Sequence, residues 1–237
     1  MKKIISALAC IACVAFLAGC SSAMPKVDKS ATALEGVKSI ALIAPREPWA
    51  YSVMKFADPG LVFTTLDIEV KVNDSVRQQG QLTEMLKRKN FSFSSELTTQ
   101  IATQLRNAGY QVTVQDGPWV QSNQGYSLKF ADIQSKADAV LVVAPTVMGF
   151  VFLRDVKAYA PTITTRVTLL NKDKTRILYQ GYLATGWKPL DAGWDHAYSA
   201  QTFPTFDAVL SNPDKAVASL KEASTSIANL AARKMLY

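Results

Sequence analysis

Ser39-Ile-Ala-Leu-Ile-Ala44 is a short apolar run closed by Pro45, and it predicts a central strand buried on both faces. From Leu66 the chain alternates: Leu66, Ile68, Val70 and Val72 take one side and Asp67, Glu69, Lys71 and Asn73 the other, which predicts a strand with one wet face. A helix follows, with Ser94 or Ser95 as N-cap, an apolar stripe of Leu97, Ile101 and Leu105, and Gly109 as the stop. Tyr110 to Val114 then forms a strand at once, the αβ half of a layered α/β domain. Asp116-Gly-Pro118 turns the chain, and a shorter helical stretch is expected around Leu128 to Ser135.

Ala139-Val-Leu-Val-Val-Ala144 predicts a second fully buried strand that Pro145 ends or bends, with Val147 to Leu153 continuing it or folding back beside it. Ile163 to Leu170, the polar turn Asn171-Lys-Asp-Lys174, and Arg176 to Ala184 read as an antiparallel hairpin. Trp187 to Phe206 has no clean period and predicts a long loop. Asn212-Pro213 starts a last helix whose stripe is Val217, Leu220, Ile227 and Leu230. The fold class is α/β, with α+β as the neighbouring possibility: a single layered domain with a mixed sheet, helices packed on it, an antiparallel hairpin and a C-terminal helix.

The first twenty residues carry a different pattern. Lys2 and Lys3 precede Ile4 to Leu17, an uncharged stretch that spans about 21 Å as a helix, short of the roughly 30 Å hydrocarbon core. This is a signal-peptide pattern rather than a membrane span. Leu17-Ala18-Gly19-Cys20 resembles the lipobox of bacterial lipoproteins, which implies that the Cys20 thiol is acylated and becomes the first mature residue. The organisation is then 1–19 signal peptide, 20–36 lipidated N-terminus and flexible tether, and 37–237 one domain. Ser21, in place of Asp, resembles the pattern sorted to the outer membrane, with the domain on its periplasmic side. The membrane is thus one partner, through the lipid chains.

All three cysteines lie before position 21, so the mature domain has none to pair. Removing Lys2 and Lys3 lowers the formal charge from +7 to +5, and nucleic acid is not an expected partner in an exported compartment. Lys87-Arg88-Lys89, the one dense basic cluster, reads as a solvated helix end.

No GxSxG, P-loop, HExxH or dinucleotide fingerprint occurs, and no metal or cofactor is expected. His196, the single histidine, shares a loop with Asp191 and Asp195, and these three would be the acid-base set of an envelope hydrolase. Their spacing matches no zinc pattern. Trp49, Tyr51, Trp187 and Trp194 put large aromatics into loops, where they would form either one partner-binding patch rimmed by Arg46 and His196 or a satellite core at the sheet ends. Phe203 and Phe206 belong to the same aromatic-rich segment.

Ala137-Asp138-Ala139-Val140-Leu141-Val142 and the hairpin through Asn171-Lys-Asp-Lys174 give the chain a pattern that resembles a group of envelope proteins. These are the curli-secretion lipoprotein family, the outer-membrane lipoprotein activators of penicillin-binding proteins, and the amino-terminal domain of the Tol-system propeller protein. The resemblance covers Val37 to Ala184 and the last helix. It implies a non-enzymatic assembly or docking module with an envelope protein as partner. The curli-type members also imply a secretion-channel alternative, with Leu66 to Asn73 as the segment that could face lipid, although its eight alternating residues fall short of the 9–11 or so a barrel strand needs.

Overall fold

A computed structural model describes residues 26–28, 33–55, 65–122, 125–187, 193–197 and 201–236, and the side chains of all of these except 65–74, 122, 125 and 126. These residues form an α/β domain around a seven-stranded mixed sheet. Its strands are β1 (Ser39–Ala44), β2 (Ser52–Met54), β3 (Gln111–Asp116), β6 (Ala139–Leu153), β7 (Ala158–Asn171), β8 (Ile177–Thr185) and β9 (Trp194–Ala197). The order is β3-β1-β6-β7-β8-β9, with β2 also paired to β6. A small antiparallel pair, β4 (Trp119–Ser122) and β5 (Gly125–Leu128), lies apart.

The parallel pairs β1·β3 and β1·β6 bury Ile40, Leu42 and Leu141 on one face and Ala41, Ile43, Val140 and Val142 on the other, as expected of continuous apolar runs. Four helices accompany the sheet among the described residues: α1 (Thr65–Arg88), α2 (Phe93–Asn107), α3 (Phe206–Ser211) and α4 (Pro213–Leu236). They join the first face in the main core, where Leu97, Ile101 and Leu105 of α2 and Leu220, Ile227 and Leu230 of α4 pack with Leu82 and Leu86 of α1. Alanine and serine at positions 216, 219, 223, 224, 228 and 231 of α4 are buried, which lets that helix lie close to its neighbours. The β4–β5 pair and a 3-10 turn at Phe130–Asp132 cover the second face, with Trp119, Leu128 and Phe130 against Ile43 and Val142.

Several local expectations hold. Gly109 (φ 93°) closes α2 with paired bonds, Tyr110 N–H to the Leu105 carbonyl (3.1 Å) and Gly109 N–H to that of Arg106 (2.9 Å). Pro145 bends β6 without ending it. The register against β7 shifts between Pro145 and Val147, and the displaced Thr146 bonds Thr164 side chain to side chain at 2.7 Å. The N-cap of α2 is Ser92, two or three residues ahead of the expected Ser94 or Ser95, because Phe93 joins the helix with its ring fully buried.

Leu66 to Asn73 is a correction: it is the start of α1, not a strand. Leu66/Val70 and Ile68/Val72 are also i, i+4 pairs, and Asp67, Glu69, Lys71 and Asn73 are residues that strands disfavour. The run continues without a breaker to Arg88, so a helix begun downstream propagates through it. The segment that suggested a lipid-facing strand therefore supplies none. Leu128 to Ser135 also differs, being the end of β5 and the 3-10 turn. The long loop after Trp187 contains β9, and Phe203 pairs its backbone with Tyr159. Within the span read as a tether, Ala33 and Leu34 pack on the main core and Val27 pairs with Gln180 of β8.

β2 approaches β6 so closely that a Cβ on Gly149 would lie 2.0 Å from the Ser52 carbonyl oxygen, and Gly149 has φ 152°. Gly149→Ala is expected to cost about 3 kcal/mol, roughly 6–12 °C in melting temperature for a domain of this size. Gly80→Ala, on α1 where a Cβ meets nothing within 4 Å, should instead gain up to about 1 kcal/mol. Thermal and urea melts of both variants check the pair.

Candidate functional site

The residues between β1 and β2 form a short loop that leaves the sheet and is fastened to the start of α2. Glu47 is the fastener. Its carboxylate accepts hydrogen bonds from the Ser92 hydroxyl (2.9 Å), Phe93 N–H (3.1 Å) and Ser94 N–H (2.9 Å), and a very short one from the Tyr51 hydroxyl. An anionic side chain here satisfies N–H groups that a helix leaves unpaired and meets the positive end of its dipole. The Ser94 hydroxyl donates to the Pro45 carbonyl, and Tyr51 N–H donates to the Thr83 hydroxyl of α1 at 3.0 Å. Both ends of the loop are therefore tied to helices.

This wiring separates the loop's two aromatics. Tyr51 is 3% exposed, with its ring 6.1 Å from that of Phe91. Its burial, with the Glu47 hydrogen bond and charge beside it, holds the hydroxyl well above the ordinary tyrosine range. Tyr51 is thus corrected from a surface contact to a core residue that braces the loop. Trp49, two residues earlier, is 80% exposed, and Arg46 is exposed beside it. A large apolar ring so exposed on a fixed loop is available to a partner.

Trp187, Trp194 and His196 lie elsewhere. Trp187 N–H donates to the Thr162 hydroxyl of β7 (3.1 Å), and Gly149 of β6 lies between Thr162 and Ser52 of β2. Trp194 opens β9 opposite Tyr182 of β8, with ring centroids 5.5 Å apart, and its indole nitrogen is buried without a hydrogen-bond partner. Both tryptophans are half-buried. His196 is also half-buried, its Nε2 lying 3.1 Å from the Gly186 carbonyl. Phe203 and Phe206 are core residues.

Of the possible acid-base set, Asp191 lies outside the described residues, as does Cys20. Asp195 and His196 are consecutive in β9 and point to opposite faces. Asp195, with 17% of its side chain exposed, lies 2.7 Å from Lys234 Nζ of α4 and 3.1 Å from Lys26 Nζ. Burial pushes its carboxyl up, but hydrogen bonds from Lys234 and Lys26 and their charges outweigh that and hold it below the usual carboxylate range. No cluster of three metal-ligating side chains occurs among the described residues.

The sequence offered no pattern that singled out Glu47. Its partners at the start of α2 are some 45 positions away, and the only local hint was a serine-rich helix start lacking a partner for all its N–H groups.

Two outcomes follow from this geometry. Glu47→Ala strips four hydrogen bonds from one carboxylate and should cost about 2 kcal/mol, read as a lowered urea midpoint with an unchanged slope. Because the Asp195 carboxyl is held below its ordinary 3.8, the folded state binds that proton more weakly than the unfolded chain. Its stabilisation is complete above that value and lost as the pH falls through it toward the lower folded value. The melting-temperature gap between wild type and Asp195→Asn should therefore be widest near neutrality and narrow as the pH falls below about 4; a gap that does not narrow on acidification would contradict the ion-pair account.

No family model matches the chain, and no curated protein resembles it in sequence. Among solved structures, the chain is similar to a Xanthomonas campestris protein of the DUF330 family at 10% identity, over 89% of this chain and 91% of that one, with a TM-score of 0.43. It is also similar to a lipoprotein of Neisseria meningitidis (14% identity, 62% and 81% covered, TM-score 0.28). A third is a Helicobacter pylori homologue of a neuraminyllactose-binding hemagglutinin (12% identity, 85% and 84% covered, TM-score 0.30).

Proposed function

We propose that the protein is a lipid-anchored, non-enzymatic docking or assembly accessory of the bacterial cell envelope, held through Cys20 at the periplasmic face of the outer membrane. The observation that carries the docking role is Trp49: an exposed indole on a loop bound at both ends to helices. A rigid aromatic meets a partner with little ordering cost, which is why such residues dominate interface energies. The anchor is supported by the signal-peptide pattern and by Leu17-Ala-Gly-Cys20. The non-enzymatic reading is supported by Asp195, which is engaged by two lysines and faces away from His196.

Palmitate-analogue labelling of wild type against Cys20→Ala tests the anchor, and equal uptake by the two would sink it. For docking, crosslinking in intact envelopes should recover a protein partner from wild type and much less from Trp49→Ala. That loss corresponds to about 2 kcal/mol or more of affinity, with the melting temperature almost unchanged. Trp194→Ala, which removes the packing on Tyr182, should do the reverse and cost about 2 kcal/mol or more of stability. A Trp49→Ala protein that melts early, or that retains its crosslinks, would overturn the assignment.

A further inference from the structure

β3 is the last strand at its end of the sheet. Gln111 N–H donates to the Lys38 carbonyl (2.9 Å), so the main-chain groups of residues 111, 113 and 115 face β1 and those of Val112 and Val114 point outward. Among the described residues, these outward groups meet only Arg106, whose guanidinium lies 3.4 Å from the Val112 carbonyl, longer than an ordinary hydrogen bond. The pairing of β3 with β1 runs through Gln111 to Asp116 without a bulge, and the strand has no lysine or proline, the usual guards of a free edge. Val114 is 42% exposed.

The geometry points to a second copy of this chain as the occupant: two β3 strands pair antiparallel about a two-fold axis that stands normal to the sheet and passes between their Thr113 residues. Such an axis keeps helix side on helix side, so side chains opposite each other share a face. With Thr113 on the axis, Val112 lies opposite Val114 of the second copy and Val114 opposite its Val112, while Gln111 and Gln115 meet on the other face. The valines are the residues whose main-chain groups point outward, so these two pairs exchange the hydrogen bonds that the edge lacks. Centring on Val114 would instead set Val112 against Asp116, and centring on Val112 would set Gln115 and Asp116 against the turn at Gly109 and Ala108. A strand from a different protein would give this edge no reason to match itself end for end.

Charge selects the same register. From Ser92 to Leu128 the only charged residues are Glu96, Arg106 and Asp116, three in 37 where the chain's 19% would place about seven. Neither Arg106 nor Asp116 has an ion-pair partner among the described residues. Asp116 shares the face of Val112 and Val114, and the register sets it opposite Tyr110 of the second copy, diagonal to the Val112 where that copy's Arg106 ends. Each Arg106 thereby gains the other copy's Asp116, twice by symmetry. Thr99, Thr103 and Asn107, exposed on α2, bring no like charge to the junction.

The test uses the full chain, in intact cells under mild oxidation and then purified in detergent. Thr113 meets itself in a non-hydrogen-bonded pair with Cα atoms about 4.5 Å apart, within the span of a disulfide. All native cysteines precede position 21, so wild type supplies the background. Thr113→Cys should run as a disulfide-linked dimer on a non-reducing gel. Gln115→Cys, whose two copies stand about 14 Å apart along the strands, should not, whereas Gln111→Cys and Gln115→Cys expressed together should give the mixed dimer. Purified wild type should have twice the monomer mass. Asp116→Arg and Arg106→Asp should each weaken the dimer about tenfold, and the double exchange should restore it, with circular dichroism confirming the fold of each. A monomeric wild type, a dimer that does not crosslink at position 113, equal crosslinking at 113 and 115, or a dimer no weaker in either charge reversal overturns the proposal. So does a Thr113→Cys disulfide to a different protein, which would assign the edge to a foreign strand.

Discussion

β6 is fifteen residues long, and no single neighbour spans the edge it shares with β1. β1 pairs with Ala139 to Val142, β2 with Gly149 to Val151, and both run parallel to β6. The chain must therefore leave the sheet after Ala44 and return to the same edge at Ser52, passing the place where β6 bulges at Pro145. The excursion carries Arg46, Glu47, Trp49 and Tyr51. A loop so enforced by pairing on both sides has little freedom in its ends, and Gly149 is what allows β2 to come near enough to complete the pairing.

The same excursion solves a problem for α2. The first N–H groups of that helix need acceptors, and Glu47 supplies them from outside the helix while Tyr51 packs beneath. One carboxylate thus joins the β1–β2 loop to α2, and the indole between two braced positions is left projecting. Rigidity and exposure at Trp49 have a common origin in the strand pairing and in the capping of α2.

The parts of this arrangement that were legible in the sequence are those set by local pattern. The runs ending at Pro45 and Pro145, the stripe of α2 with its Gly109 stop, the polar hairpin turn and the Pro213 start of α4 are each specified by neighbouring residues. Leu66 to Val72 misled because spacings of two and four coincide over eight residues, and only the unbroken run to Arg88 decides between them. Trp49 was visible as a loop aromatic, but Tyr51, in the same short loop, differs from it in role through contacts with Thr83 and Phe93 that no local spacing encodes. β9 escaped notice because Trp194 to Ala197 is short and becomes a strand by pairing with β8.

The Trp49 loop is rigid because Glu47 holds it. The direct measurement is the backbone ¹⁵N order parameter of Trp49 in wild type and in the Glu47→Gln protein, which keeps the side-chain size while giving up the charge and one acceptor oxygen. The wild-type value should lie near the rigid-backbone level of about 0.85 and fall toward or below about 0.6 in the variant. A wild-type loop already in the flexible range, or one that stays rigid when Glu47 is changed, would contradict it.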